Sequence, residues 1–150
     1  MEEISKGFNL DSLVLAEVMN TRTRPKVVEH QNCIFISIKM LQQHSETDLL
    51  NFENLSLIIT KSVLISFQEK KGDVFEPVRE RIRKQKKRIR NSGTDYLAFA
   101  LLDVVIDNYI YVISVLGEKI ESLEDDLAIE PKQSLIYEIN NYKRELNFLR

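Results

Sequence analysis

Apolar residues first recur at three- and four-residue intervals, at Leu10, Leu13, Val14 and Val18, which places them on one side of a short helix ending near Asn20. Asn9 or Asp11 offers a capping side chain at its start. Pro25 biases its predecessor toward extended backbone, so strand structure is expected to follow. The period then falls to two. Ile34, Ile36, Ile38 and Met40 alternate with Cys33, Phe35, Ser37 and Lys39. Leu55, Leu57 and Ile59 precede Val63, Ile65 and Phe67, and the intervening Thr60 to Ser62 is short enough to turn a hairpin. Both faces of the first of these strands are largely apolar, which predicts helices over at least part of each side. With no crossover helix between strands, neighbours should pair mainly antiparallel.

Gly72 closes the strand region, and a helical period takes over. Pro77 falls in a first turn, where its missing N–H costs little, and Val78, Ile82 and Ile89 keep helical spacing until Asn91-Ser92-Gly93 breaks it. Thr94 then serves as the expected N-cap of a helix reaching about Leu127, roughly 50 Å at 1.5 Å per residue. Leu116, Ile120, Leu123 and Leu127 narrow the apolar stripe to one seam. Leu135, Ile139, Tyr142, Leu146 and Leu149 form a second seam after Pro131, which predicts an antiparallel helical hairpin. The fold class expected is α/β: a layered domain with a mainly antiparallel sheet, followed by long antiparallel helices. In domain terms, residues 1–72 form a partial sheet region. Residues 73–150 form a helical region with a basic helix over 74–90, a long helix over 94–127 and the start of a return helix over 132–150. Arg150 falls inside the last amphipathic pattern, which reads as a chain that has been cut.

Composition sharpens this picture in three places. Four Gly and three Pro are too few for a loop-rich barrel, and 43% hydrophobic with 29% charged residues is the balance of an ordinary globular domain. A single cysteine, Cys33, excludes an internal disulfide framework and fits a reducing compartment. Met1 to Asp11 lacks the pattern of a secretion signal. The window Leu97 to Leu116, with 16 apolar residues among 20, has the length of a membrane span. Asp103 and Asp107 stand near its middle, each costing roughly 2.5 to 3.5 kcal/mol on insertion scales, so a core helix covered on several sides by protein is expected instead.

Catalytic chemistry has little to draw on. His30 and His44 lie in the strand region outside any metal-ligand or nucleophile motif, Cys33 opens an apolar strand, and no Gly-rich phosphate loop is present. No enzyme is expected. Between Arg79 and Arg90 eight of twelve residues are basic, a density suited to phosphates, yet the run is helical, lacks interleaved aromatics and belongs to a chain of net charge −2. A solvated face paired with acids is the plainer expectation. Asp103 and Asp107, four apart, share a helical face. They suit either ion pairing with the neighbouring arginines or a hard divalent cation. Glu121, Glu124, Asp125, Asp126 and Glu130 read as a solvated acidic face.

Several spaced strings are more specific. Asn20-Thr21-Arg22-Thr23-Arg24-Pro25-Lys26-Val27, Phe67-Gln68-Glu69 and the run from Gly72 to Arg83 are followed by Ile89-Arg90, Asp95-Tyr96-Leu97, Ala100-Leu101-Leu102-Asp103 and Asp107-Asn108-Tyr109. In this order and spacing they resemble the cytoplasmic domain of CorA-type magnesium and cobalt transporters, over nearly all of the chain from Leu10 onward.

That resemblance implies a funnel-shaped homopentamer, with an α/β/α cytosolic domain, long antiparallel helices and a stalk leading into the membrane. On this view the chain is the middle of such a protein, soluble itself but held at the cytoplasmic face of the cell membrane by later helices. A naturally short relative is the alternative. The resemblance further implies regulatory Mg²⁺, with Co²⁺ as a second ion, bound by carboxylates between identical subunits, and points to Glu17, Asp103 and Asp107. Glu17 stands where the family usually has Asp in a Leu-Glu-Asp sequence, whereas Ala16 here removes a neighbouring carboxylate. A metal-sensing domain that controls a pore is the reading these features favour. The alternative is a soluble interaction module that binds nucleic acid or lipid through the basic helix.

Overall fold

The computed structural model describes residues 7–8, 10–43, 50–84, 87–129 and 132–148. Asn9, His44, Lys86, Glu130, Pro131, Leu149 and Arg150, singled out above, lie outside the described residues. Helix α1 (Ser12–Met19) is capped by Asp11, whose carboxylate accepts the Leu13 N–H at 3.0 Å. It is followed by β1 (Lys26–Glu29), β2 (Ile34–Gln43), β3 (Leu50–Ile59) and β4 (Leu64–Gln68). These strands form one antiparallel sheet in the order β1-β2-β3-β4, a meander of the kind expected where no crossover helix intervenes. Thr60 builds the β3–β4 turn with both backbone and side chain: its N–H donates to the Val63 carbonyl, and its hydroxyl accepts the Val63 N–H at 3.0 Å.

Register decides which face each residue occupies. Val28 pairs with Phe35, Phe35 with Ile58, and Ile58 with Ile65, so these four share one face. Leu10, Val14 and Val18 of the α1 segment join Cys33, Phe35 and Ile58 in a buried cluster on that face, with Val28, Ile65 and Phe67 at its margin. Met40, Leu55 and Leu57, on the opposite face, are also fully buried. The following helices add Phe75, Val78, Ile89, Ala98, Leu101 and Val105 to the buried apolar set. The apolar character of both faces of β2 thus matches a sheet covered on each side.

Where β4 ends, side chains continue the pairing. The Glu69 carboxylate accepts the Asn54 N–H at 2.5 Å, and the Glu53 carboxylate accepts the Lys70 N–H at 2.9 Å. Gly72 then adopts φ +94, a conformation that side-chain-bearing residues rarely take, and redirects the chain. Asp73 prepares the next helix by accepting the Phe75 N–H at 2.9 Å and the Arg79 guanidinium at 2.7 Å. The Gly72–Arg83 string is therefore a strand-to-helix turn held by its own side chains. Its basic continuation is divided into α2 (Glu76–Arg83) and α3 (Lys87–Asn91), with residues 85 and 86 outside the described set.

Helix α4 (Thr94–Ile129) begins at Thr94 rather than after it. Gly93 supplies the first carbonyl, to Leu97, and the Thr94 hydroxyl donates to Thr60 at 2.5 Å, tying the helix start to the β3–β4 turn. The helix is long and apolar enough to cross a membrane by length and composition. Ala98, Leu101, Val105, Val112 and Leu116 are buried along one stripe and Ala100 is buried on the other side of the helix, whereas Phe99, Ile106, Ile110 and Ile113 are exposed. The expected cover on several sides is met at the start of the helix, residues 98–105, and not at the exposed Ile106, Ile110 and Ile113. Helix α5 is Gln133–Phe148. The chain divides into two compact units, Met1–Ile106 and Asp107–Arg150.

Candidate cation site

Glu17 lies in the last turn of α1, on the side of that helix that meets the sheet. Along β1, the period of two puts Lys26, Val28 and His30 on the face that carries α1. The Lys26 ammonium donates to Glu17 Oε1 at 2.9 Å, and His30 Nε2 lies 3.4 Å from Glu17 Oε2. Partial burial of Glu17 opposes ionisation, but the Lys26 and His30 hydrogen bonds and charges outweigh it and hold the carboxyl below its ordinary range. Lys26 also lies over the buried Phe35 ring, 5.7 Å from its centroid. These partners were missed in the sequence; the signal for them was the alternation of β1, which assigns residues 26 and 30 to one face.

The loop carrying Lys26 is itself pinned. Lys39 donates to the Thr21 carbonyl at 2.6 Å, and the Thr23 hydroxyl donates to the Asn20 carbonyl and lies 3.4 Å from the Ser37 hydroxyl. Beneath it, buried Ser37 donates to Asn54 Oδ1 at 3.1 Å, and the Asn54 amide donates to Ser56 at 3.2 Å. A satisfied polar network inside the sheet face is stabilising, whereas a broken one leaves costly orphan groups. Burial tends to raise the Glu69 carboxyl, but the Asn54 N–H, Thr21 and Lys39 together bring it below the ordinary range.

Asp103 and Asp107 are both exposed on α4, about 6 Å apart along the helix axis by its rise and on one side of it. Neither makes an ion pair or side-chain hydrogen bond among the described residues. The expected pairing with the arginine-rich helix is therefore corrected. Those cations are engaged locally: Arg79 with Asp73 and Glu76, Arg83 with Glu76, and Lys84 with Glu80 at 2.6 Å. Arg81 donates to the Tyr96 hydroxyl at 3.2 Å, and Arg88 lies over the Tyr96 ring. Sequence neighbours within one or two turns outcompete a distant carboxylate because they need no extra chain ordering.

Among the described residues no three His, Cys, Asp or Glu side chains gather at metal-binding separation, so Glu17, Asp103 and Asp107 do not form a three-ligand site within one chain. The donors are hard carboxylate oxygens that retain contact with solvent. Such donors fit a Mg²⁺ ion that keeps most of its waters, and not a dehydrated all-protein cage. Cys33 takes no part: burial, with the Asp11 charge in addition, pushes its thiol up and away from thiolate reactivity.

A four-stranded antiparallel sheet packed against helices, leading into one long helix with exposed carboxylates, defines an α/β domain class. The family model described as CorA-like Mg2+ transporter protein matches residues 1–150. The chain belongs to that family. It is 36% identical over 150 residues to the cobalt/magnesium transport protein CorA of Thermotoga maritima, covering 100% of this chain and 43% of the relative. The complete structure of the CorA magnesium transporter from Methanocaldococcus jannaschii superposes with a TM-score of 0.80 at 20% identity, over 99% of this chain and 46% of that one. The soluble domain of CorA from the same organism gives 0.77 at 19% identity, over 96% and 56% respectively. The chain thus spans less than half the length of the curated relative it matches.

Proposed function

We propose that this chain is the cytosolic, cation-sensing part of a divalent-cation transport protein for Mg²⁺ or Co²⁺. It sits at the cytoplasmic face of the cell membrane and assembles with identical copies, as a homopentamer, around a pore built by further membrane helices. Residues 1–72 provide the sheet layer and residues 73–150 the helices that carry its state onward. Asp103, Asp107 and Glu17 would hold hydrated Mg²⁺ at boundaries between copies. When bound, the ion offsets their negative charge. Without it, like-charged carboxylates of neighbouring copies repel, which biases the assembly toward a second arrangement.

The observation that carries this reading is the state of Asp103. It is an exposed carboxylate on the long helix with no ion pair among the described residues, in a chain whose whole length matches the CorA-like family model. Three of the eight basic residues, Arg79, Arg83 and Lys84, are paired with Asp73, Glu76 and Glu80, and the anionic-partner reading has no observation comparable to the family match. Calorimetric titration of Mg²⁺ and Co²⁺ into the protein at its full natural length tests the proposal. Saturable heat that weakens in Asp103→Ala is the expected result. Equal heat in both proteins, or none in the wild type, overturns it.

A further inference from the structure

Glu17 is the one candidate cation ligand whose charge is already met inside its own chain, and the group that meets it is preorganised. Lys26 follows Pro25, whose ring fixes its own backbone φ. The preceding loop is held by Lys39 on the Thr21 carbonyl and by Thr23 between Asn20 and Ser37. The Lys26 ammonium lies over the buried Phe35 ring, 5.7 Å from its centroid, and 2.9 Å from Glu17 Oε1. The lysine therefore reaches the carboxylate without ordering a free side chain for the purpose.

From this geometry we infer that Lys26 is a built-in competitor of the divalent cation at Glu17: it neutralises the carboxylate in the cation-free chain and is displaced when a hydrated Mg²⁺ takes its place. The inference rests on the reading of Glu17 as a cation ligand and concerns how that ligand is regulated. Two cations do not share one carboxylate without mutual repulsion, so a hydrated divalent ion at Glu17 meets the Lys26 charge already held there. The exchange is feasible because the pair is partly solvated, with 34% of the Lys26 side chain and 24% of the Glu17 side chain exposed. A pair of that kind is weak enough to yield to a divalent ion yet strong enough to raise the concentration at which it yields. His30, at the other carboxylate oxygen, is a longer contact at 3.4 Å.

The test is the dissociation constant of Mg²⁺, measured calorimetrically on the protein at its full natural length, with thermal melting to establish that each variant is folded. Lys26→Met removes the ammonium and keeps an unbranched apolar stem, and Lys26→Gln gives a second neutral variant if the first fails to fold. Either is expected to tighten Mg²⁺ binding by about three- to fivefold, the reach of a partly exposed ion pair. Lys26→Arg restores a competing cation and should stay within about twofold of wild type. Glu17→Gln should weaken binding and abolish any effect of Lys26→Met in the double variant. Unchanged or weaker binding in the neutral variants, with Glu17→Gln still harmful, overturns the competition and leaves the cation-ligand reading standing. Binding unaffected by Glu17→Gln overturns that reading at Glu17, and the competition with it.

Discussion

In the first unit, Met1–Ile106, α1 and both sheet faces contribute a closed core, with Val14, Phe35, Met40, Leu55 and Leu57 fully buried and Leu13, Met19, Val27 and Ile34 left exposed around it. In the second, Asp107–Arg150, Val112 and Leu116 are the buried hydrophobic positions among the described residues. The seam residues Ile120, Leu123, Leu127, Leu135, Ile139 and Tyr142 are only half-buried, and Ile129 and Tyr137 are exposed. A sheet presents a broad face that one helix and a few strands can seal, whereas a helix has a narrow stripe and leaves its flanks in water. The first unit is therefore where stability is concentrated. The second is built so that lateral apolar surface remains for other contacts.

Cutting into each unit with the same chemistry should give unequal losses. Phe35→Ala removes a fully buried ring beneath α1 and is expected to cost about 3–5 kcal/mol. Leu123→Ala on the half-buried seam should cost only about 1 kcal/mol. Denaturant midpoints read both, and equal losses would break the contrast by showing the seam to be covered in solution.

A smaller effect sharpens the account of the first unit. Asn54→Ala leaves the buried Ser37 and Ser56 hydroxyls without their amide partner, with an expected loss of about 1–3 kcal/mol. A loss below about 0.5 kcal/mol in the same unfolding assay would mean that the hydroxyls find other partners and that the network is not what holds the loop after α1.

The smallest effect is acid sensitivity. Glu17, Glu69 and Asp73, all in the first unit, have folded-state pKa values below their ordinary range. For Asp73 the Arg79 hydrogen bond is the foremost cause. A depressed carboxylate contributes stability in full above its unfolded pKa, near 4, and loses it as pH falls through the lower folded value. Unfolding midpoints should hold between about pH 7 and 5 and then decline below about pH 4, by on the order of 1 kcal/mol for these partly solvated groups together. A midpoint that rises on acidification would reverse the sign and remove the ion pairs from the stability of the first unit.

Much of this architecture was already written in local patterns. Periods of three to four and of two separated helix from strand. Pro25, Gly72, Pro77 and Asn91-Ser92-Gly93 marked the breaks, because each changes what the backbone can do within one or two residues. The absence of crossover segments predicted antiparallel pairing, and the seams around Leu123 and Ile139 mark half-buried positions in the last turns of α4 and in α5. Asp11 as a cap and Cys33 as a buried apolar side chain were legible for the same reason.

The partners of charged groups were decided by the tertiary structure. Nothing local to Glu17 announces Lys26 and His30, which reach it only after β1 folds back under α1 in a register that turns both toward the helix. The arginines near Asp103 went instead to Asp73 and Glu76, and Asp103 was left facing solvent. Periodicity fixes which side of an element a residue occupies. Which charge lies within 3 Å of another depends on how elements distant in sequence are brought together, and Coulomb energies change too steeply with that separation for sequence spacing to foretell them.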